Sequence, residues 1–397
     1  MGFRPVELLH WADNPGGGDA GRVEPPEGLK DGGFNNGQRP PAGHHNWLFG
    51  VLADWARYNE ATRLIDRWVL GQGTASTQAL NGSGGGFNFQ DKKDTFLLVG
   101  DATGSAGTLL VTDDGEVLTQ VSNPKNFALY DVVRVTKQTP GGSDSQMFIC
   151  VGAADGTDAY MIRTTDPFGT WTERTNPKNF DLYAIAEDGD GTIIAAGDYD
   201  GSNIYAIRSQ DQGDNWTELG GIGTGLGAGA KINGIAWSPL LGMFALVGQD
   251  ASGVPIIYTT VQGDTVWTRT VDAAATGALR AVAWNGKAFV AVADAGEIHR
   301  SVDGVTWTLV RDPSSAPDNF NIQDVAADPV TGAIIAPTSG YILYSGDDGQ
   351  TWQFMPHPPA AAANNTSWHI AEFHKGFLLA TVTGSDQIAA RGGMVID

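Results

Sequence analysis

Cysteine is almost absent from this chain. Cys150 is the only one in 397 residues, so no intramolecular disulfide can form and a disulfide-stapled scaffold is excluded. Its neighbours Met147, Phe148, Ile149 and Val151 read as a buried strand, which makes an inert core thiol the expectation rather than a nucleophile. Basic residues are also scarce, with 24 Lys and Arg against 45 Asp and Glu and a formal charge of -21. Phosphate backbones and anionic membrane surfaces should be repelled, and no nucleic acid is expected as a partner. No window approaches the roughly 18 uninterrupted apolar residues of a spanning helix, so no membrane insertion is expected. Residues Met1 to Pro15 hold one early Arg, no apolar run and a central Glu7, which is not the pattern of an export signal. The expected product is soluble and made in the cytoplasm, whatever its final location. Charged residues make up only 17% of the chain, whereas Gly reaches 54 and Thr, Val and Trp are frequent, a composition that points to a turn-rich, mostly β chain.

Three zones follow one another. Residues 1 to about 45 are rich in Gly and Pro (Pro15-Gly-Gly-Gly18, Pro25-Pro26, Pro40-Pro41) and show no sustained period, so they read as an extended arm. From Asn46 to Trp68 the pattern changes. Leu48, Val51, Trp55, Tyr58, Thr62 and Ile65 alternate at spacings of three and four, while Asp54, Arg57, Glu60, Arg63 and Arg67 take other faces. That predicts an amphipathic helix over 46–68, capped by Asn46 and roughly 35 Å long. The seam suits self-association around an axis as well as packing of a single helix on its own domain. Gly71 to Gly86 (GQGTASTQALNGSGGG) then reads as a flexible linker, which sets the predicted regions at 1–70, 71–91 and 92–397.

The third zone repeats itself. Five segments carry a short turn ending in Trp: Thr164 to Trp171 with Asp166, Ser209 to Trp216 with Asp211, Thr259 to Trp267, Ser301 to Trp307 with Asp303, and Ser345 to Trp352 with Asp347. Thr112-Asp-Asp-Gly115 is a degenerate sixth copy without its Trp. Upstream of each turn lie two alternating apolar runs, such as Ala281-Val-Ala-Trp284 and Ala288-Phe-Val-Ala-Val292, so the unit is a four-stranded meander. Similar units start near residues 94, 129, 181, 231, 279, 321 and 368. Such units cannot bury a face alone and must stack, so a single closed β-propeller is expected. Seven blades are expected, with six left open because the first unit lacks an obvious outer or inner strand.

The turns resemble the Asp box, S-x-D-x-G-x-T-W, of sialidase-type (BNR) repeats. In such a turn the Asp accepts bonds from the turn backbone, Gly takes a positive φ, and the Trp packs where its strand meets a neighbouring blade. Asp166, Trp171, Asp211, Trp216, Trp267, Asp303, Trp307, Asp347 and Trp352 are therefore read as structural, not catalytic. The resemblance to sialidases also implies three arginines gathered over a substrate carboxylate, with a Tyr/Glu nucleophile pair and an Asp acid. Here Phe3-Arg4-Pro5 lies outside the repeats, and Arg163, Arg208 and Arg300 each precede a box on separate blades. No catalytic residues are assigned, and a sialidase-like or other carbohydrate-active hydrolase is kept as the alternative. Gly221 to Gly227 fits no phosphate-binding pattern and reads as a loop. The Asp188/Asp190 and Asp198/Asp200 turns and the His44-His45 pair lack further ligands, so no metal and no cofactor are expected.

The arm carries a second resemblance. Pro25-Pro-Glu-Gly-Leu-Lys-Asp-Gly-Gly-Phe34, then Gly37-Gln-Arg-Pro40-Pro41, then Asn46-Trp47-Leu48 and Trp55 to Tyr58 keep the order and spacing of a module of tailed-bacteriophage structural proteins. Phe34 stands where that module has Trp, and Leu29 where it has Lys. The resemblance implies a virion component of tail, fibre, baseplate or head-fibre type. Residues 1–70 would anchor it to other virion proteins and support a homo-oligomer, a trimer first. Pro40, Pro41, Asn46, Trp47, Leu48, Val51, Trp55, Tyr58 and Ile65 would carry that anchoring, with the propeller displayed outward for host-surface glycan.

Overall fold

A computed structural model describes residues 68–70, 79–88, 93–102, 107–113, 117–135, 147–261, 263, 265–270, 275–312, 320–338, 341–355, 368–373, 376–383 and 386–393. The anchoring positions from Pro40 to Ile65, and the His44-His45 pair, lie outside the described residues. Among the described residues there is no α-helix, only a single helical turn at Asp294–Gly296.

The described strands form seven antiparallel meanders of four strands, two of which are joined through the pairing of Asp198 with Lys231. From blade 1 to blade 7 the innermost strands are Leu80–Asn88, Leu129–Val135, Leu182–Glu187, Lys231–Ser238, Leu279–Trp284, Ala326–Ala327 and Trp368–Phe373. Each neighbours the next, and that of blade 7 neighbours that of blade 1, so they close a ring around a central channel. The outermost strand of blade 7 is Trp68–Leu70, which pairs antiparallel with Asp386–Gly393 in the register Trp68↔Gly392, Val69↔Arg391 and Leu70↔Ala390. The ring is thus closed by a strand from the far end of the chain. Trp68, expected to end the helix, stands in that strand, which gives this residue a ladder partner that an isolated helix end lacks.

One expectation is overturned outright. Residues 80–88 (LNGSGGGFN), read as flexible linker, are the innermost strand of blade 1 and pair with Lys93–Ala102 from Leu80↔Gly100 to Asn88↔Lys93. The cause is steric. A Cβ on Gly82 would lie 2.2 Å from the Tyr130 carbonyl oxygen, and one on Gly84 2.3 Å from that of Val132, because adjacent inner strands converge near the axis. Glycine serves here as a close-packing residue, not as a hinge.

The apolar core lies between blades, as stacked sheets require. Between blades 2 and 3, Ile149, Val151 and Met161 pack against Ile193, Tyr205 and Trp216. Cys150 is fully buried one layer over, beside Leu129 and Tyr160, and burial pushes its thiol well above the usual range. Trp171, Trp216 and Trp307 are buried, and each packs in the core that its blade shares with the preceding one. Trp267 and Trp352 are partly buried in the same position. Burying a side chain of this size contributes about 4–6 kcal/mol as an upper estimate.

Candidate functional site: the mouth of the central channel

The turns that resemble Asp boxes lie between the third and fourth strands of their blades. Asp303 Oδ1 accepts bonds from the Val305 and Thr306 N–H at 2.8 and 2.7 Å and from the Ser301 hydroxyl at 3.0 Å. Asp211 and Asp347 repeat this arrangement, and Asp166 keeps one such bond, from Phe168 N–H. Burial pushes the Asp303, Asp211 and Asp347 carboxyls up, but these bonds outweigh it and hold each below the usual carboxylate range. Gly213, Gly304 and Gly349 take φ of 80°, 73° and 80°, and a Cβ there would press into the preceding blade, 2.4 Å from Ile149 Cδ1 in the case of Gly213.

The three arginines that precede boxes do not converge. Arg163 Nη1 donates to the Gln212 carbonyl at 3.1 Å, Arg208 Nη1 to Gly263 at 2.7 Å, and Arg300 Nε to Asp348 at 2.7 Å. Each is spent on the box turn of the next blade. The Gly221–Gly227 segment is a loop with positive φ at its four glycines, followed by a strand. Asp188 Oδ1 accepts the Asp190 and Thr192 N–H, and Asp200 Oδ1 those of Ser202 and Asn203, so both are turn-forming carboxylates.

Sequence reasoning missed two repeats. Asn123-Pro-Lys-Asn-Phe127 recurs as Asn176-Pro-Lys-Asn-Phe180. In both, the Lys N–H donates to a tyrosine hydroxyl (Tyr160, Tyr205) and the Lys Nζ bridges an Asp/Glu pair: Asp155 with Glu173, and Asp200 with Glu218. Asp155, Asp158 and Glu173 cluster closely enough to suggest a cation, but the Lys125 ammonium already meets two of them. These are clamps between a blade and the loop entering it.

The second repeat builds the site. Near the start of the inner strand in blades 1 to 5 the register slips by one residue, at Asn81, Tyr130, Tyr183, Asn233 and Arg280. A bulge re-aims the extra side chain, and these five, with Gln323 of blade 6, line the mouth of the channel in a cavity of about 500 Å³. Gly100, Gly152, Gly197 and Gly248 face the bulges, where a Cβ would meet a backbone carbonyl oxygen at 2.2, 2.1, 1.9 and 2.0 Å. In the sequence this is Leu or Ile, a variable polar residue or Tyr, then Gly, Ala or Asp, repeated in blades 1 to 6. The box signal, set at the opposite ends of the blades by the antiparallel alternation, drew attention away from it.

The mouth residues are held in place. Asn81 Nδ2 donates to Asp101 Oδ1 at 2.9 Å and to the Leu129 carbonyl at 3.2 Å, and Asn233 Nδ2 donates to the Leu279 carbonyl at 2.7 Å. Arg280 makes a two-pronged pair with Asp294 at 2.9 and 2.5 Å. The Tyr130 and Tyr183 rings lie 4.9 Å apart, and both hydroxyls donate to Asp181 Oδ2, at 3.3 and 3.2 Å. Lys231 Nζ sits 4.9 Å from the Tyr183 ring centroid, and the Lys231 backbone is the ladder partner of Asp198. One step inward, Asp131 accepts the Val132 N–H at 2.8 Å and the Ile185 N–H of the next blade at 2.9 Å. Desolvation by the surrounding strands pushes its carboxyl up to about 8 against the pull of those two bonds. Burial, with Asp181 next, raises the Tyr130 hydroxyl to about 12.

No protein-family model matches the chain, and no curated protein matches it. Among solved structures, it is similar to YCF48 bound to D1 peptide, with 17% identity and a TM-score of 0.56, covering 83% of this chain and 96% of that one. It is likewise similar to YCF48 from Cyanidioschyzon merolae, with 16% identity and a TM-score of 0.55, covering 82% and 98%. The likeness is one of fold, and the described chain is a mostly β propeller resembling YCF48.

Proposed function

We propose that the chain is a non-enzymatic binding propeller of a bacteriophage virion, anchored by residues 1–70 to other virion proteins and engaging the host surface through its channel mouth. The observation that carries the binding role is the bulged ring of Asn81, Tyr130, Tyr183, Asn233, Arg280 and Gln323, six different blades presenting polar and aromatic groups around one cavity. Host-surface glycan is the proposed ligand class. YCF48, a propeller of like fold, has a structure bound to D1 peptide, which supports binding as a role for a propeller of this kind. The virion setting rests on the pattern from Pro25 to Tyr58, and so does the proposed homo-oligomer, with a trimer first.

The alternative, a sialidase-like hydrolase, needs three arginines over one substrate carboxylate. The commitment of Arg163, Arg208 and Arg300 to three separate box turns argues against it. The test is to incubate the whole protein with polysaccharide from the host surface, measuring retention on the glycan and release of reducing ends together. Binding without release is expected, and release that disappears on substitution of mouth carboxylates would replace this reading with an enzyme. Light scattering that gives a monomer for the isolated chain would count against the trimer.

A further inference from the structure

We propose that the rim where blades 5 and 6 meet carries a further ligand site, separate from the channel mouth, which stacks a pyranose ring on Phe354 and holds that sugar's carboxylate with Arg311. Its ligand is an acidic polysaccharide built of uronic acid units. The inference stands independently of what the mouth binds.

The site is assembled from two blades. Arg311 ends the outer strand of blade 5 (Thr308–Arg311), while Tyr341 immediately precedes the third strand of blade 6 (Ile342–Ser345) and Phe354 lies in its outer strand (Gln353–Met355). Phe320 stands in the connection entering blade 6. The Tyr341 ring lies 5.5 Å from that of Phe320 at 83° and 4.6 Å from that of Phe354 at 86°. Edge-to-face contacts of this kind hold the three rings in a fixed strip. Even so, Phe320 and Phe354 leave 37% and 54% of their surface exposed. Two of the three phenylalanines exposed among the described residues thus stand on this one tyrosine, the third being Phe168 in the box turn of blade 2.

The guanidinium is a second, independent observation. Arg311 lies over the Phe354 ring, its central carbon 5.8 Å from the centroid, with Nη1 donating to the Gly296 carbonyl at 2.5 Å and Nη2 to the Tyr341 hydroxyl at 3.2 Å. Both acceptors are neutral, and among the described residues no carboxylate pairs with Arg311, in a chain where Asp and Glu outnumber Lys and Arg by 45 to 24. Two of the five guanidinium N–H groups are spent on positioning, and the charge and the other donors are left for an anion.

Together the strip and the cation describe one rigid ligand. A uronic acid has a flat apolar face of C–H groups to lie on Phe354 and a carboxylate fixed beside that face, within reach of the guanidinium. A neutral hexose has the face without the charge. An acidic peptide carries its carboxylates on flexible stems with no flat face next to them. The strip is open rather than enclosed, which suits a polymer crossing the rim.

The experiment uses the whole chain over immobilised polyglucuronate, polygalacturonate, carboxyl-reduced polyglucuronate and polyglutamate, at near-physiological salt. The net charge of -21 opposes unspecific uptake of a polyanion, so retention reports a local site. At least one polyuronate is expected to bind about tenfold or more tighter than the reduced polymer and polyglutamate, as one charge-assisted pair and one stacked ring imply. Phe354→Ala and Arg311→Gln should each weaken it by about tenfold, and Arg311→Lys, which keeps the charge but not the planar fork, should recover only part. Phe168→Ala should leave it unchanged. Thermal melts show whether each variant is folded, and Phe354→Ala, at an exposed side chain, keeps the test decisive if the Arg311 variants are not. Reduced polymer or polyglutamate bound as tightly as the polyuronates would overturn the inference. Polyuronate binding lost in Asn233→Ala but kept in Phe354→Ala would overturn the rim site and leave the mouth as the binding surface. No binding of either polyuronate would overturn the rim site without bearing on the mouth.

Discussion

Asp131 links two inner strands at the axis, and its titration should be readable in the stability of the whole ring. Its carboxyl is raised to about 8 by desolvation, against an ordinary value of 3.8. The sign follows from which state holds the proton. Below about pH 4 both folded and unfolded chains keep it, and this group gives no pH dependence. Between about 4 and 8 the unfolded chain has released it while the folded chain retains it, so stability falls as pH rises, by up to about 1.4 kcal/mol per unit. Summed over that window the upper bound is about 6 kcal/mol. Water in the channel reaches part of Asp131, so the realised figure should be a fraction of this, on the order of 2–3 kcal/mol. Asp158 and Asp198, raised by burial, slope the same way, so the comparison must be made against a variant. Asp131→Asn keeps the size, removes the titration and turns its amide N–H toward one of the two backbone donors, a cost of about 1–3 kcal/mol that does not vary with pH. Urea unfolding at pH 5 and pH 8 should therefore show the wild type losing more stability than Asp131→Asn over the interval. Equal losses in the two proteins would refute the assignment of a raised carboxyl to this position.

Gly82→Ala should destabilise the ring by about 1–3 kcal/mol or more, since its Cβ has only backbone to displace, and calorimetry would register it. Arg208→Ala removes the tie to Gly263 and should lower the urea midpoint by the equivalent of about 1–3 kcal/mol, with ligand binding at the mouth unchanged. Asp303→Asn weakens a box whose carboxyl is held below its ordinary value. The folded pKa is depressed, so its contribution is present near neutral pH and is lost as pH falls, and the deficit of the variant should shrink below about pH 4. Removing residues 1–70 takes away the outer strand of blade 7, and the truncated chain should melt earlier than one that begins at Arg67.

How much of this was legible in the sequence depended on whether a residue's role is local. The box turns are local: Ser209, Asp211 and Gly213 bond within one turn, so spacing alone predicts both their form and their structural role. Blade starts at 129, 181, 231 and 279 were equally visible, because an alternating run followed by a box fixes its own frame. Residues 80–88 were not. Their Gly and Ser content is that of a linker, and only the carbonyls of Tyr130 and Val132, about 50 residues on, explain why a side chain cannot be there. The mouth followed the same rule. Nothing in Leu129-Tyr-Asp131 or Leu279-Arg-Ala281 announces a site singly; the signal is the shared register slip, which needs the partner strands aligned. Arg163, Arg208 and Arg300 were legible as repeat positions, but their acceptors lie on the next blade.

Closure by Trp68–Leu70 also orders events in time. These three residues leave the ribosome more than 300 residues before their partners Ala390–Gly392, so the first-made strand of the propeller waits for the last. Until then the strand Trp68–Leu70 has no partner, an opening to pairing with another chain. Loops that close over such distances form late and slowly. Yield of the folded protein should therefore be governed less by the strength of any blade than by how long that one strand stays unpaired during synthesis.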